Sequence, residues 1–181
     1  MILVRRIRKK YFTPTHPWQK ERIIEEKQLI KEYGLKNHRE VWKMKTFVKK
    51  AADEAKRLIP LTTKQAEKER RELLNKLIRY GLLKENATIT DVLNLTVQDV
   101  AERRLQTLVY RKGLARSMKQ ARQFIVHKHI AIGDKVISSP SYLVKIDEED
   151  LIQFSPRSKL SQEDHPERIA KVKGVINEKG E

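Results

Sequence analysis

Residues 111–129 read RKGLARSMKQARQFIVHKH, and this short run gathers the side chains that could do chemistry. Arg116, Ser117 and Lys119 stand where a helical pattern begins, with Ser117 and Gln120 spaced as an N-cap and its reciprocal partner. A helix start carries unpaired backbone N–H groups and the positive end of the dipole, so it favours an anion. Arg111, Lys112, Arg122 and Lys128 widen the positive zone, and His127 and His129 close the helix with rings able to donate to phosphate or stack on a base. Arginine grips a phosphate with two N–H groups at once, which lysine does not. The chemistry on offer is anion binding, and a phosphate backbone is the ligand that uses so many cations together.

Other reactive residue types lead elsewhere only weakly. Asp147, Glu148, Glu149 and Asp150 are consecutive carboxylates between two strand-like runs, which reads as a solvated turn rather than a metal or acid/base pair. His127 and His129 have no cysteine and no third histidine nearby, so no metal is expected. Trp42 borders an apolar stripe and reads as packing, whereas Trp18, beside Pro17 and Lys20, is a candidate for stacking on RNA. There is no GxxxxGK phosphate loop and no GxSxG elbow. The expectation is a protein that is not an enzyme, has no cofactor and acts on no small-molecule substrate.

The whole chain agrees with a polyanionic partner. Its 181 residues carry 40 Lys+Arg against 24 Asp+Glu, a formal net charge of +16. Such a surplus repels itself when folded unless an anion neutralises it, and a pI above ~9 is the footprint of nucleic-acid binding. A solubility surface would favour mixed signs and a smaller excess. The charge is also segregated: residues 96–129 hold eight Lys+Arg and two Asp+Glu, whereas residues 130–154 hold two and five. The other basic segment is the first third, where Arg5, Arg6, Arg8, Lys9, Lys10, Tyr11, Trp18, Lys20, Arg22, Lys43, Lys45, Lys49 and Lys50 are the candidate contacts. With no cysteine, disulfides and thiol chemistry are excluded. No apolar run approaches the ~18 residues of a membrane span, and MILVRRIRKK runs apolar-then-charged, the reverse of a secretory signal. A soluble, cytoplasmic protein is expected.

The elements that must position these residues can be read from periodicity and punctuation. Three helices are expected in residues 1–95: one after Pro17 ending at Gly34, one from Asn37 and Glu40 to Pro60, and one from Thr62 and Gln65 to Gly81. Residues 96–154 begin with a capping box, TVQD, and a single apolar stripe through Val97, Val100, Ala101, Leu105, Leu108 and Val109 to Gly113. The second helix, from Ser117, buries Met118, Ala121, Phe124 and Ile125. A Gly133–Asp134 turn then makes a hairpin, and YLVKI and LIQF supply two further strands. The fold class is α+β: a basic helical N-terminal domain (1–95), a small domain of a helix pair on a short antiparallel sheet (96–154), and a polar tail (155–181) not expected to fold alone.

At this point the chain resembles a known family. RRLQTLVYRKGLARSMKQARQFIVHKHIAI, followed by VISSPSYLVK, is similar to the RNA-binding domain of the small-subunit ribosomal protein S-four family, a domain shared with some pseudouridine synthases and tyrosyl-tRNA synthetases. KKYFTPTHPWQKERIIEE and GLKNHREVWKMKTFVKKAADEAKRLI resemble the N-terminal region of archaeal-type members. The resemblance implies a structural, primary binder of small-subunit ribosomal RNA, bound early at a multi-helix junction in its 5′ domain. It implies a role in starting assembly, a place near the messenger entry and decoding region, and neighbouring small-subunit proteins as partners. It carries the RNA surface to Arg104, Arg111, Arg116, Ser117, Lys119, Arg122, His127 and His129. The chain departs from the family in using Gly-Asp rather than Asn-Gly at the hairpin, and in lacking the cysteine zinc knuckle of many bacterial members. An assembly factor of the same superfamily, binding precursor ribosomal RNA, is the alternative; absence from translating ribosomes would mark it. An RNA-modifying enzyme would need a catalytic domain of its own, and the first 95 residues read as helical and basic.

Overall fold

A computed structural model describes residues 9–162 and His165. Arg5, Arg6, Arg8 and most of the tail lie outside the described residues. Among the described residues no helix is long and apolar enough to cross a membrane.

The N-terminal part is three helices: α1 (Lys20–Glu32), α2 (His38–Leu58) and α3 (Lys64–Arg79). Asn37 caps α2, its side chain accepting from the Glu40 N–H at 3.2 Å. At the other end of α2 the Arg70 guanidinium donates to the carbonyls of Leu58, Ile59 and Leu61, satisfying oxygens the helix leaves unpaired. The cap of α3 is Thr63, not the expected Thr62, and it accepts from the Ala66 N–H. Ala51, Ala55 and Ala66 bring α2 and α3 close, and Leu58, Leu73, Leu77 and Val92 fill the space around them.

The long stripe from Val97 to Val109 is two helices rather than one: α4 (Val97–Glu102) and α5 (Leu105–Arg111). They break where Arg104 turns extended (φ −74°, ψ 142°) to pair with Leu143. The Leu105 N–H donates to the Tyr142 carbonyl at 2.8 Å, and the Val144 N–H donates to the Arg103 carbonyl at 3.0 Å. This crossing also explains why YLVKI is not a full strand. Its pairing is spent on the break, and Ile146 already starts α7 (Ile146–Glu149), a single turn that includes the acids expected to form a loop.

The helix α6 (Met118–Val126) leads into β1 (Ile130–Ile132) and β2 (Lys135–Val136), and β3 (Ile152–Phe154) completes an antiparallel sheet in the order β2-β1-β3. Gly133 makes the hairpin turn at φ +56°, a region that favours glycine. The register pairs Ala131 with Val136 and with Gln153, so Ile130, Ile132, Ile152 and Phe154 share the face that packs on α5 and α6. Leu160 joins this core and Ser155 is buried, so packing continues past residue 154 into the start of the expected tail.

A third cluster unites Tyr33, Leu35, Val41 and Met44 with Val100 and Ala101 of α4. The packing therefore groups α4 with the N-terminal helices. Met118 and Leu143 of the α5–α6–sheet unit pack against that cluster.

Candidate nucleic-acid interface

Ser117 caps helix α6 as expected, but Gln120 reaches back to the residue before the cap rather than to Ser117 itself. Ser117 is extended and its hydroxyl accepts from the Gln120 N–H at 3.2 Å, while the Gln120 side chain accepts from the Arg116 N–H at 2.7 Å. Around this start Arg116 and Lys119 are exposed, and Lys128 is exposed just past the helix end. Lys128 holds φ +63° on a backbone bonded to Ile125, so its side chain leaves the surface from a fixed left-handed corner. None of Arg116, Lys119 and Lys128 forms an ion pair with a described residue.

Neighbouring candidates are more committed. Arg111 pairs with Glu102 at 2.8 Å, but both are largely exposed, so the pair is worth little and gives way easily to a phosphate. Lys112 lies 3.8 Å from Asp150, a carboxylate that is itself fully in water. His127 is exposed. His129 is half-buried: its Nδ1 sits 2.8 Å from the Ser158 hydroxyl and its ring stands edge-on to Phe124, so it anchors the chain after the sheet.

Arg104 and Arg122 turn inward, to each other's acid. Glu40, on α2, takes the Arg122 guanidinium with both oxygens (2.8 and 3.2 Å) and the Arg104 guanidinium at 2.8 Å. Arg104 is only 3% exposed, and its charge is spent first on Glu40. Burial pushes the Glu40 carboxyl up, but the hydrogen bonds and charges of Arg122 and Arg104 outweigh it, and the group titrates below the ordinary glutamate range. Gln106, also buried, extends the joint: its amide donates to the carbonyls of Tyr33, Gly34 and Met118. Two halves of the chain are thereby stitched by polar groups across a sequence separation of more than sixty residues.

In the N-terminal third the organising group is Glu26, fully buried on α1. Its carboxylate receives Arg22 (2.8 Å), His38 (2.9 Å), the Trp42 indole N–H (3.1 Å) and Lys45 (3.2 Å). Burial raises its pKa, and hydrogen bonds from Arg22, His38, Lys45 and Trp42 bring the net below the ordinary range. Arg22 and Lys45 thus have an internal partner, and Trp42 packs with Tyr11, ring centroids 5.9 Å apart. Lys49 lies over the Phe12 ring at 5.3 Å. Lys9, Lys10, Lys20, Lys43 and Lys50 are exposed, and Trp18 is 90% exposed.

Two acids of α7 are already in use. Glu149 meets Arg103 at 2.6 Å, and Glu148 receives the Tyr142 hydroxyl (2.8 Å) and the Lys145 backbone N–H (3.2 Å).

Glu26, Glu40 and Gln106 were not singled out in the sequence. Glu26 had a signal: it falls on the stripe of Leu29, Ile30 and Tyr33, where an acid must be paired. Glu40 fitted a reciprocal cap for Asn37, and that plausible local role hid the distant one. Gln106 had no signal, being a polar residue beside Thr107 in the otherwise apolar run of α5.

The S4 domain family model matches residues 103–152. A protein of Methanococcus aeolicus is 54% identical over 170 residues, covering 93% of this chain and 96% of its own. One of Nanoarchaeum equitans is 52% identical over 178 residues (96% and 97%), and one of Methanococcus maripaludis 50% identical over 169 (93% and 95%). Each carries the name small ribosomal subunit protein uS4.

Proposed function

The chain belongs to the uS4 family of small-ribosomal-subunit proteins, and from that premise we propose that it is a primary binder of small-subunit ribosomal RNA that helps start subunit assembly. It is a ribosomal protein rather than an enzyme. In this reading it docks at a multi-helix junction of the RNA's 5′ domain, sits near messenger entry and decoding, and has other small-subunit proteins as neighbours. The names of the relatives favour a component of the finished subunit over an assembly factor on precursor RNA.

The observation that carries the RNA reading is the state of Arg116, Lys119 and Lys128. They are exposed and have no ion-pair partner among the described residues, whereas Arg103 and Lys112 are met by the acids Glu149 and Asp150. Counterions released from phosphates by such cations supply most of the affinity, and a rigid helix pair fits folded RNA by shape. Binding of a 5′-domain RNA fragment should therefore fall steeply with salt. The Arg116→Glu/Lys119→Glu double variant should weaken binding and make the log–log salt slope shallower by about two, with an unchanged melting temperature. A shallow wild-type slope, or an unaltered affinity in the double variant, contradicts the reading. Arg122 is unsuited to this test, since reversing it would place two acids together at Glu40.

A further inference from the structure

Between α2 and the segment that pairs with Arg104 lies a cleft of about 340 Å³, within the ~300–1,000 Å³ range of sites that hold small ligand groups. Its walls are apolar, formed by Met44 and Phe47 of α2, Val100 of α4, and Pro140 and Leu143 opposite. Its polar groups make one patch: Glu40, Arg104 and Arg122 are bonded together, and Lys43 stands three residues along α2 from Glu40, on the same helical face. Three cations and one carboxylate line the cleft, so the patch is net positive.

Arg104 is also incompletely used. Its Nε is buried without any hydrogen-bond partner, and its Nη1 reaches only the Met44 sulfur, at 3.7 Å. Its charge is not cancelled by Glu40, which is shared with Arg122, and so it reinforces the positive field of the cleft from behind.

We propose that this cleft seats a single unpaired nucleotide of the bound RNA, the base between Phe47 and the Pro140–Leu143 wall and its phosphate toward Lys43, with the Glu40-bound arginines adding their charge from behind. This rests on the RNA-binding reading and goes beyond it: besides the shape-reading cations around α6, the junction of the two halves captures one splayed-out base. Apolar walls with a cationic patch match an unstacked nucleotide, which needs a surface for its π-face and a counter-charge for its phosphate. A phosphate alone would leave the Phe47 and Leu143 surfaces unused. A purely apolar occupant would leave Lys43, which has no ion pair with a described residue, without a counter-charge.

The test uses the full chain and a small-subunit 5′-domain RNA fragment carrying 4-thiouridine or 6-thioguanosine at its unpaired positions. Irradiation of the wild-type complex is expected to cross-link the peptide containing Lys43–Phe47 or the one containing Pro140–Leu143. Ser141→Trp, at the exposed rim, should fill the opening and raise Kd by about tenfold, the size of one lost stacked base; Ser141→Ala should not. Should Ser141→Trp fail to fold, the wild-type cross-links decide. Cross-links confined to the Arg116–Lys128 surface, with Ser141→Trp binding like wild type, overturn the cleft site and leave RNA binding standing. No binding of the fragment by the wild-type chain at any salt overturns both.

Discussion

Glu40 and Glu26 show how much of a basic protein depends on a few acids. Each is surrounded by cations that a charge count would assign to RNA, and each keeps those cations at home. Removing Arg104 leaves Glu40 half-buried with Arg122 alone, and Arg104→Ala should cost about 2–3 kcal/mol in urea unfolding; a loss below a few tenths would show the pair to be incidental. Both carboxyls titrate below the ordinary glutamate range, so the stability they lend is complete above about pH 4.5 and drains as the pH falls through their folded-state values. Urea midpoints across a pH series should stay level near neutrality and drop on the acid side. In Glu26→Gln/Glu40→Gln that acid-side drop should be shallower, and an identical slope would contradict the assignment. At this scale the sequence was legible by residue type and not by availability. Lys119 and Arg122 sit on one short helix and look equivalent in the chain, yet only Arg122 is held by an acid eighty-two residues away.

The elements were legible where the signal was local. Asn37, Thr96 and Ser117 cap the helices they were expected to cap, and Gly34, Gly81 and Gly133 all adopt positive φ at the stops and turn that needed them. Errors came where a distant segment intervened. The α4–α5 break keeps an unbroken apolar period and is produced by Leu143 pairing with Arg104, which no local pattern encodes. Gly34 links this scale to the next. It holds φ +58°, and a Cβ there would lie 2.7 Å from the Met118 Cβ at the start of α6. Gly34→Ala should therefore lose at least the ~1–3 kcal/mol of backbone strain, and more if α6 must move. Ser117→Ala should lose about 1 kcal/mol through its cap alone. A chemical-denaturation comparison in which Gly34→Ala matched wild type would mean that α1 and α6 do not approach as closely as described.

For the molecule as a whole, the α+β class, the two-part architecture and the segregation of charge were all visible beforehand, because they are sums over many residues. What no sum contains is the joint between the parts. Glu40, Arg104, Gln106 and Gly34 hold α2 against the α5–α6 unit, so the exposed lysines of the N-terminal helices and those of α6 belong to one body. An RNA-binding protein benefits from that rigidity, since two basic patches fixed in advance do not lose orientational freedom on binding. The division of that body into a cationic helix side and an acidic sheet side is the claim on which RNA recognition depends. Lysine acetylation of the chain free and bound to small-subunit RNA, read by mass spectrometry, tests it directly. Lys43, Lys119 and Lys128 are expected to be protected in the complex, while Lys135 on the sheet edge stays reactive. Protection of Lys135 with Lys119 and Lys128 left open would contradict it.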